Sequence, residues 1–302
     1  MPKPRRHHYL PQFYLNYFTN NEGIFYIYDE QREEIRQQTP INTALKRDLY
    51  VIKQTNGENN YLLEEIFSEY ESQAKILFEK IKKQEELCYE EKYIMSFFIA
   101  LMQTRTPSAI EKTVDFFQQI TEKQAHIIMQ LPEFRKNIEL NRINEGLEAY
   151  TDDEYKKLCK NTHIKINPKY ALSMSINKIE RLALIYSQQN WMFLCIDKSD
   201  RYFITTDNPF ILYSTDPSSP LGAAVKGVKK LCPITNKILL IISDYGYKTE
   251  YKNITDRRLL RELNMSLFKR RKKYAISPEK DFLDFLWKRC GNSKISNNIR
   301  IL

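Results

Sequence analysis

The spacing of apolar residues along the chain changes twice, and each change predicts a different kind of secondary structure. Near the start, short runs rich in aromatic and β-branched residues predict strands over 23–29 and 46–52. From Tyr61 the apolar residues recur three or four positions apart, with Glu and Lys between them, as in amphipathic helices. The further predicted helices are 89–105, 107–132 and 169–190, with short helices or loops over 133–165.

After Trp191 the pattern returns to short apolar segments bounded by Asp, Ser, Pro and Asn, which again predict strands. The predicted strands are 191–197, 201–206, 209–213, 228–234 and 237–243, followed by a helix over 256–268, a strand over 274–277 and a helical turn or two over 281–288. Strands and helices do not alternate regularly, which disfavours a doubly wound sheet. We therefore predict an α+β fold in which a helical middle segment packs with a mostly antiparallel sheet built from N-terminal and C-terminal strands.

Length and apolar content limit the organisation. The 302 residues suit one large domain or two small ones. We predict a single domain over 1–302, subdivided into an N-terminal arm with strands (1–60), a helical part (61–190) and a sheet with a basic C-terminal part (191–302). No run approaches the ~18 apolar residues of a membrane span, and the opening MPKPRRHHYL lacks the apolar stretch of a signal peptide. We expect a cytoplasmic protein without a membrane span.

The scarce residue types disfavour several kinds of site. With only 7 glycines, loops that cradle phosphates through glycine are disfavoured. The 5 cysteines form no CxxC or CxH pair, which disfavours a structural zinc site and a disulfide framework. The sequence pairs none of the 4 histidines with a cysteine, so cysteine catalysis is disfavoured as well.

The net charge of +9 is concentrated at the two ends of the chain. Residues 252–302 hold fourteen Lys and Arg against five Asp and Glu, and residues 1–6 hold three more cations. The densest run, 269–273, is of the kind that attracts phosphate backbones or anionic surfaces, which makes nucleic acid the expected partner. The alternative is a solvated helix end whose cations interact favourably with the helix dipole.

Four short polar segments interrupt the predicted elements, and two of them lie in the first half of the chain. In the first, His7 and His8 either supply an imidazole that titrates near neutral pH or belong to a simple N-terminal arm. In the second, Gln103 and Arg105 close the apolar face of a helix. The guanidinium either clamps a phosphate or carboxylate or bonds the last carbonyls of that helix.

The other two segments lie in the second half. Asp207 and Asn208 stand before a proline between two predicted strands. The carboxylate is either a general base, the orienter of a histidine or a metal ligand, or else part of an ordinary turn. Asn264 shares one stripe of a predicted helix with Arg257 and Arg261. That stripe is either an anion-binding face or an ordinary amphipathic surface.

Several of these segments together resemble a known family of mainly bacterial proteins, the domain-of-unknown-function 4238 family. The segments are HHYLPQFYLNYF, QTRTP, FITTDNPF, CPIT and ELNMSLFKRRKKYAIS. The family is known by an opening His-His-Tyr-x-Pro-x-x-Tyr/Phe-Leu pattern and a later Thr/Ser-Asp-Asn-Pro, and the match spans nearly the whole chain in the family's order. The resemblance carries over no activity and no fold. It implies that the motif positions are His8, Glu71, Gln103, Arg105, Asp207, Asn208 and Asn264.

A shared location of these residues would suit acid–base chemistry with anion stabilisation. In that hypothesis His8 is the base or acid, Asp207 orients it and Arg105 holds a phosphate. The substrate-binding residues would be Gln103, Asn208, Asn264, Arg270 and Arg271. We therefore predict a phosphate-directed enzyme, a nuclease or phosphodiesterase acting on RNA or DNA, in a toxin or phage-defence setting.

The hypothesis has one chemical variant and two alternatives. The reaction as written uses no metal, whereas a metal-dependent variant would hold Mg, Mn or Zn with Glu71, Asp207 and His8. The first alternative is a non-catalytic nucleic-acid or nucleotide sensor that uses the same site. The second is a protein-interaction module in which the motifs only tie the N-terminal arm to the sheet. The oligomeric state is left open by the sequence.

Overall fold

The computed structural model describes residues 6–47, 49, 52–53, 59–60, 62–214, 216 and 218–291. A central helical segment is combined with mostly antiparallel sheets from N-terminal and C-terminal strands, so the predicted α+β class is confirmed. The helices are α1 (Gln12–Asn16), α2 (Leu62–Lys82), α3 (Tyr89–Thr104), α4 (Pro107–Met129), α5 (Pro132–Asn144), α6 (Asp152–Asn161), α7 (Pro168–Ile176), α8 (Ile179–Ser187), α9 (Arg257–Lys269) and α10 (Lys280–Cys290). No helix in the described part of the chain is both long enough and apolar enough to cross a membrane.

The strands form two larger sheets and two short pairs. They are β1 (Arg6–His8), β2 (Phe25–Asp29), β3 (Glu34–Gln38), β4 (Leu45–Arg47), β5 (Ile52–Lys53), β6 (Asn59–Asn60), β7 (Gln189–Cys195), β8 (Thr205–Thr206), β9 (Ile211–Tyr213), β10 (Lys229–Thr235), β11 (Ile238–Tyr245), β12 (Thr249–Asn253) and β13 (Tyr274–Ser277). The larger sheets have the orders β12-β7-β11-β10-β9 and β3-β2-β13-β8, and the pairs are β1-β4 and β5-β6. The strand predicted over 46–52, the helix start at Tyr61 and the basic residues of 1–5 lie wholly or partly outside the described residues.

The four-stranded sheet joins parts of the chain that are far apart in sequence. Ile276 of β13 pairs with Ile27 of β2 on one side and with Thr205 of β8 on the other. All three pairings are antiparallel in this sheet, including β2 with β3. The N-terminal strands, the segment before Asp207 and the C-terminal strand are therefore held side by side.

A buried apolar cluster lies under the two C-terminal helices. Leu260, Leu263 and Leu267 recur at helical spacing on α9 and are buried in this cluster, together with Phe268. Burial of side chains of this size contributes about 1.5–3 kcal/mol each. The helix begins after Asp256, whose side chain accepts a 2.7 Å hydrogen bond from the N–H of Arg258.

The chain divides into two compact units. The larger unit is made of Met1–Ser108 and Ile176–Leu302, and the smaller unit is Ala109–Ser175. The smaller unit contains α5, α6 and most of α4 and α7. Within it, the hydroxyl of Tyr155 donates to the carbonyl of Met129 at 2.8 Å. The subdivision proposed from the sequence stays a prediction.

Several elements differ from the sequence-based expectations, among them α1 and β3, for which no element was predicted. The single helix predicted over 169–190 is wrong, because α7 ends at Ile176 and α8 begins at Ile179. The Ser175 hydroxyl donates to the Ala171 carbonyl at 2.9 Å, a bond that bends helices, and Asn177 is a poor helix former. Of the strand predicted over 201–206, only β8 forms. The N–H of Ile204 donates to the side chain of Asn264 and not to the backbone of a neighbouring strand.

A further difference is β12, a strand that the apolar pattern did not predict. Thr249–Asn253 runs parallel to β7, and the ring of Tyr251 stacks on Phe193 with centroids 4.8 Å apart. Its composition is mostly polar because it is the edge strand of its sheet. Apolar periodicity therefore carried no signal for it.

Candidate functional site

Arg105 is a buried guanidinium at the end of α3. It is 1% exposed and forms the C-cap of the helix. Its Nε donates to the carbonyl of Tyr9 at 2.8 Å, and its Nη1 donates to Oε1 of Glu71 at 2.5 Å. The hydrogen bonds of Arg105 thus join α3 to α2 and to the chain that follows β1. The carboxylate that faces its guanidinium is that of Glu71.

His8 and Gln103 lie close to these segments along the chain. Nε2 of His8 is 3.2 Å from the carbonyl oxygen of Ile41, and the imidazole is half-buried. The side-chain oxygen of Gln103 accepts a 2.6 Å hydrogen bond from the hydroxyl of Tyr186. We call His8, Glu71 and Arg105 the N-terminal corner. It brings together an imidazole-bearing segment, a carboxylate and a guanidinium.

Asp207 is buried at 6% exposure and organises the basic loop that follows α9. Its Oδ1 accepts from the N–H groups of Lys272 at 2.9 Å and Tyr274 at 3.2 Å. Its Oδ2 accepts from the N–H of Lys273 at 2.9 Å. Burial raises the pKa of the Asp207 carboxyl, and the backbone donors of Lys273, Lys272 and Tyr274 oppose that rise. Both oxygens therefore serve the fold of the loop.

The two arginines of that loop are partly turned inward. Arg271 is 7% exposed, its Nη2 is 2.5 Å from Oε2 of Glu30, and its guanidinium lies 4.0 Å from the ring centroid of Phe268. Arg270 is half-buried, and its Nε has no hydrogen-bond partner among the described residues. Burial lowers the pKa of Arg270. Lys272 is the exposed cation of the loop.

Asn264 is completely buried and joins α9 to the segment before β8. Its Oδ1 accepts from the N–H of Ile204 at 2.8 Å, and its Nδ2 donates to the carbonyls of Tyr202 at 2.9 Å and Leu260 at 3.1 Å. Asn208 is half-buried, and its backbone N–H donates to Oγ1 of Thr206 at 3.1 Å, as in a turn. The side-chain amide of Asn264 therefore holds the backbone of Tyr202 and Ile204 against α9.

The motif residues thus occupy three neighbourhoods. Glu71 and Arg105 meet in the N-terminal corner, next to the chain that carries His8. Asp207 meets the basic loop of Lys272–Tyr274, and Asn264 meets the Tyr202–Ile204 segment. In the described part of the chain, no three His, Cys, Asp or Glu side chains gather as metal ligands, and Glu71, Asp207 and His8 are therefore not assembled as one set.

A cleft of about 450 Å³ lies beside α9, and Asn264 supports one of its walls. We call it the α9 cleft. Its charged lining consists of three arginines and three acids: Arg201, Arg257, Arg261, Asp200, Glu279 and Asp281. The rest of the lining is Tyr202, Leu260 and Phe282. Two rings and six charges therefore face one space of ligand size.

The charges of the α9 cleft do not neutralise one another. No carboxylate oxygen of the described residues lies within 4.0 Å of the guanidinium nitrogens of Arg201, Arg257 or Arg261. Nη1 of Arg201 donates to the carbonyl of Thr255 at 3.1 Å, and the guanidinium of Arg261 lies 5.3 Å from the ring centroid of Phe285. Most of their N–H donors are therefore available to a ligand.

The wall that carries Arg201 and Tyr202 is held from behind by a lysine. Nζ of Lys237 donates to the carbonyls of Lys198 at 2.8 Å and Arg201 at 2.5 Å, and it lies 4.0 Å from the ring centroid of Tyr202. On the other side, α10 begins at Lys280, and the side chain of its N-cap residue, Glu279, makes no capping hydrogen bond. Uncapped N–H groups at a helix start favour anions.

Sequence reasoning found only part of this cleft. Arg257 and Arg261 were recognised by their spacing of four on a predicted helix. Tyr202, Glu279 and Phe282 were missed, because they come from segments far apart in sequence and meet only in the folded chain. The local signal for these residues was an aromatic side chain, Tyr202, directly after two charged ones, Asp200 and Arg201.

Comparison with family models matches residues 6–281 to a family described as Protein of unknown function (DUF4238). The match begins within β1 and ends inside α10, so it includes all the motif segments quoted above. Neither a curated protein nor a solved structure matches the chain.

Proposed function

We propose that this chain, which belongs to the DUF4238 family, binds a nucleotide in the α9 cleft, either free or as a unit of RNA or DNA. The observation that carries the proposal is the presence of three guanidiniums, none paired with a carboxylate of the described residues, in one cleft. Guanidinium forks match phosphate oxygens and form charge-assisted bonds with them. The cleft volume of about 450 Å³ lies within the range of ligand sites, about 300–1,000 Å³.

The rest of the lining favours a nucleotide over inorganic phosphate. Tyr202 and Phe282 offer ring surfaces to a base, and such stacking contributes about 1–3 kcal/mol per base. Asp200, Glu279 and Asp281 would repel a bare phosphate but accept hydrogen bonds from sugar hydroxyls or base amino groups. A ligand with a phosphate at one end and donors at the other satisfies both kinds of charge.

Charge reversal in the cleft is expected to weaken nucleotide binding selectively. The double variant Arg257→Glu with Arg261→Glu should lose about tenfold or more in affinity, because charge-assisted hydrogen bonds contribute about 1.5–3 kcal/mol each. The measurement is calorimetric titration with a panel of ribonucleotides, deoxyribonucleotides and a short single-stranded RNA.

The matched control is Arg258→Glu. Arg258 is the next residue of the same helix, is 78% exposed and pairs with Glu262 rather than lining the cleft. It should change affinity far less. An equal loss in Arg258→Glu would mean that only overall charge matters, and no binding by any member of the panel would refute the proposal.

Cleavage of RNA or DNA is a second candidate function, a nuclease or phosphodiesterase activity. The N-terminal corner favours it, since Arg105 and Glu71 are joined at 2.5 Å beside the segment that carries His8. In this proposal His8 acts as acid or base, and the Arg105–Glu71 pair positions that segment. Asp207 then acts indirectly, through the basic loop.

His8→Ala is expected to abolish cleavage while leaving nucleotide affinity unchanged. An exposed histidine, His163→Ala, is the matched control, and its side chain is 76% exposed. The assay follows labelled RNA and DNA, with and without Mg or Mn. Intact substrates in all these conditions would end the nuclease proposal without affecting the binding proposal.

A further inference from the structure

The smaller unit, Ala109–Ser175, leaves an unusual share of large apolar side chains in water. Of the seventeen exposed large apolar residues in the described chain, nine belong to this unit. They are Phe116, Ile120, Ile127, Ile128, Leu131, Leu140, Ile143, Leu147 and Tyr170. Exposed apolar patches that are contiguous mark interaction surfaces.

Three of these side chains form one stripe on α4. Phe116 is 57% exposed, Ile120 37% and Ile127 63%. Their spacings of four and seven residues place them within about 40° of one another around the helix. Leu131, just beyond the end of α4, is also 51% exposed. We call Phe116, Ile120, Ile127 and Leu131 the α4 stripe.

The area of this surface matches what a dimer needs. The α4 stripe leaves on the order of 400 Å² of apolar surface in water, taking ~200 Å² for a fully exposed large residue. A standard interface buries about 800 Å² per partner, about 60% of it apolar. The α4 stripe therefore supplies most of the apolar area that one partner contributes to such an interface.

The charge of the unit argues against an anionic partner. Residues 109–175 hold ten Lys and Arg and ten Asp and Glu, so the net charge of +9 lies wholly in the rest of the chain. A unit without net charge is not steered toward nucleic acid or an acidic membrane, whereas low net charge promotes self-association.

We propose that the protein forms a two-fold symmetric dimer through the α4 stripe. An antiparallel pairing of two α4 helices about a point between residues 121 and 122 sets Phe116 of one copy opposite Ile127 of the other. The same pairing sets Ile120 opposite Lys123, whose methylene stem covers it while the ammonium reaches water. A stripe that is complementary to itself is what a two-fold interface requires.

Sedimentation velocity over a range of concentrations tests the dimer. Wild type is expected at twice the chain mass, and Phe116→Glu with Ile127→Glu at the chain mass. The matched control carries two glutamates on exposed aromatic residues of the larger unit, Tyr245 at 56% and Tyr247 at 73%, and should remain dimeric. A monomeric wild type at all concentrations overturns the proposal, and so does dissociation of the control.

A second variant answers the objection that glutamates only unfold the unit. Lys123→Leu removes the charge that faces Ile120 in this pairing and should tighten the dimer about tenfold, equivalent to burial of one or two extra methylenes. An unchanged or weakened dimer in Lys123→Leu would show that copies associate elsewhere, which also contradicts the proposal.

Discussion

Asp207→Ala is expected to lower the free energy of unfolding by about 3–5 kcal/mol, because three backbone donors lose their acceptor at a cost of about 1–3 kcal/mol each. The variant deprives the N–H groups of Lys272, Lys273 and Tyr274 of the oxygens that accept from them. It also leaves a cavity where the carboxylate was 94% buried, being 6% exposed. Denaturant unfolding measures the loss of free energy of unfolding, and amide hydrogen exchange at these three residues should accelerate.

An exposed aspartate at the end of β7 provides the control. Asp197→Ala should change the free energy of unfolding by no more than about 0.5 kcal/mol, as surface substitutions usually do. If Asp207→Ala kept its stability yet lost cleavage of RNA or DNA, the backbone role would be wrong. The orienter role predicted for Asp207 from the sequence would then be supported.

Lys230→Met is expected to do the opposite and stabilise the protein by about 2–3 kcal/mol at pH 7. Lys230 is 0% exposed, and its Nζ has no hydrogen-bond partner among the described residues. Burial lowers the pKa of its ammonium from 10.5 to about 8, and Asp244 opposes that shift. At pH 7 the folded protein therefore holds a buried charge with no hydrogen-bond partner among the described residues, which methionine of similar length removes.

The sign of the effect fixes its pH dependence. Between about pH 8 and pH 10.5 the unfolded chain retains a proton on Lys230 that the folded protein has released. Wild-type stability should therefore rise with pH in this window, and the advantage of Lys230→Met should shrink toward zero near pH 10.5. Lys229→Met, an exposed neighbour on β10, is the control and should show neither effect. Destabilisation by Lys230→Met at pH 7 would instead reveal an anionic partner for the ammonium.

Local pattern was sufficient for most of the fold. The break between α3 and α4 was predicted from Pro107, which suits the first position of a helix, and both helices begin and end near the predicted residues. The break between α7 and α8 was not predicted, because the apolar spacing continues across it while a serine hydroxyl bonds the backbone. Apolar periodicity shows which face of a helix is apolar, but it does not detect a side-chain hydroxyl that competes for a backbone carbonyl.

The candidate site was less accessible to sequence reasoning. Asn264 was placed on one stripe with Arg257 and Arg261, yet it is buried while both arginines are exposed. Residues spaced three or four apart spread over a wide arc of the helix surface, so their spacing does not show which of them faces the core. The partners of Asn264, Tyr202 and Ile204, lie about sixty residues earlier in the chain. Only the tertiary fold joins them.

The position of β13 between β2 and β8 has a consequence for synthesis on the ribosome. The hairpin of β2 and β3 ends at Gln38, but the strand that completes its other edge begins only at Tyr274. At about 5–20 residues per second, the edge of β2 waits on the order of tens of seconds for its neighbour. During that interval an unpaired strand is open to other nascent chains. A chain that ends before β13 therefore exposes the edge of β2 that β13 covers in the folded protein. The late strand β13 thus protects the early strand β2 from aggregation.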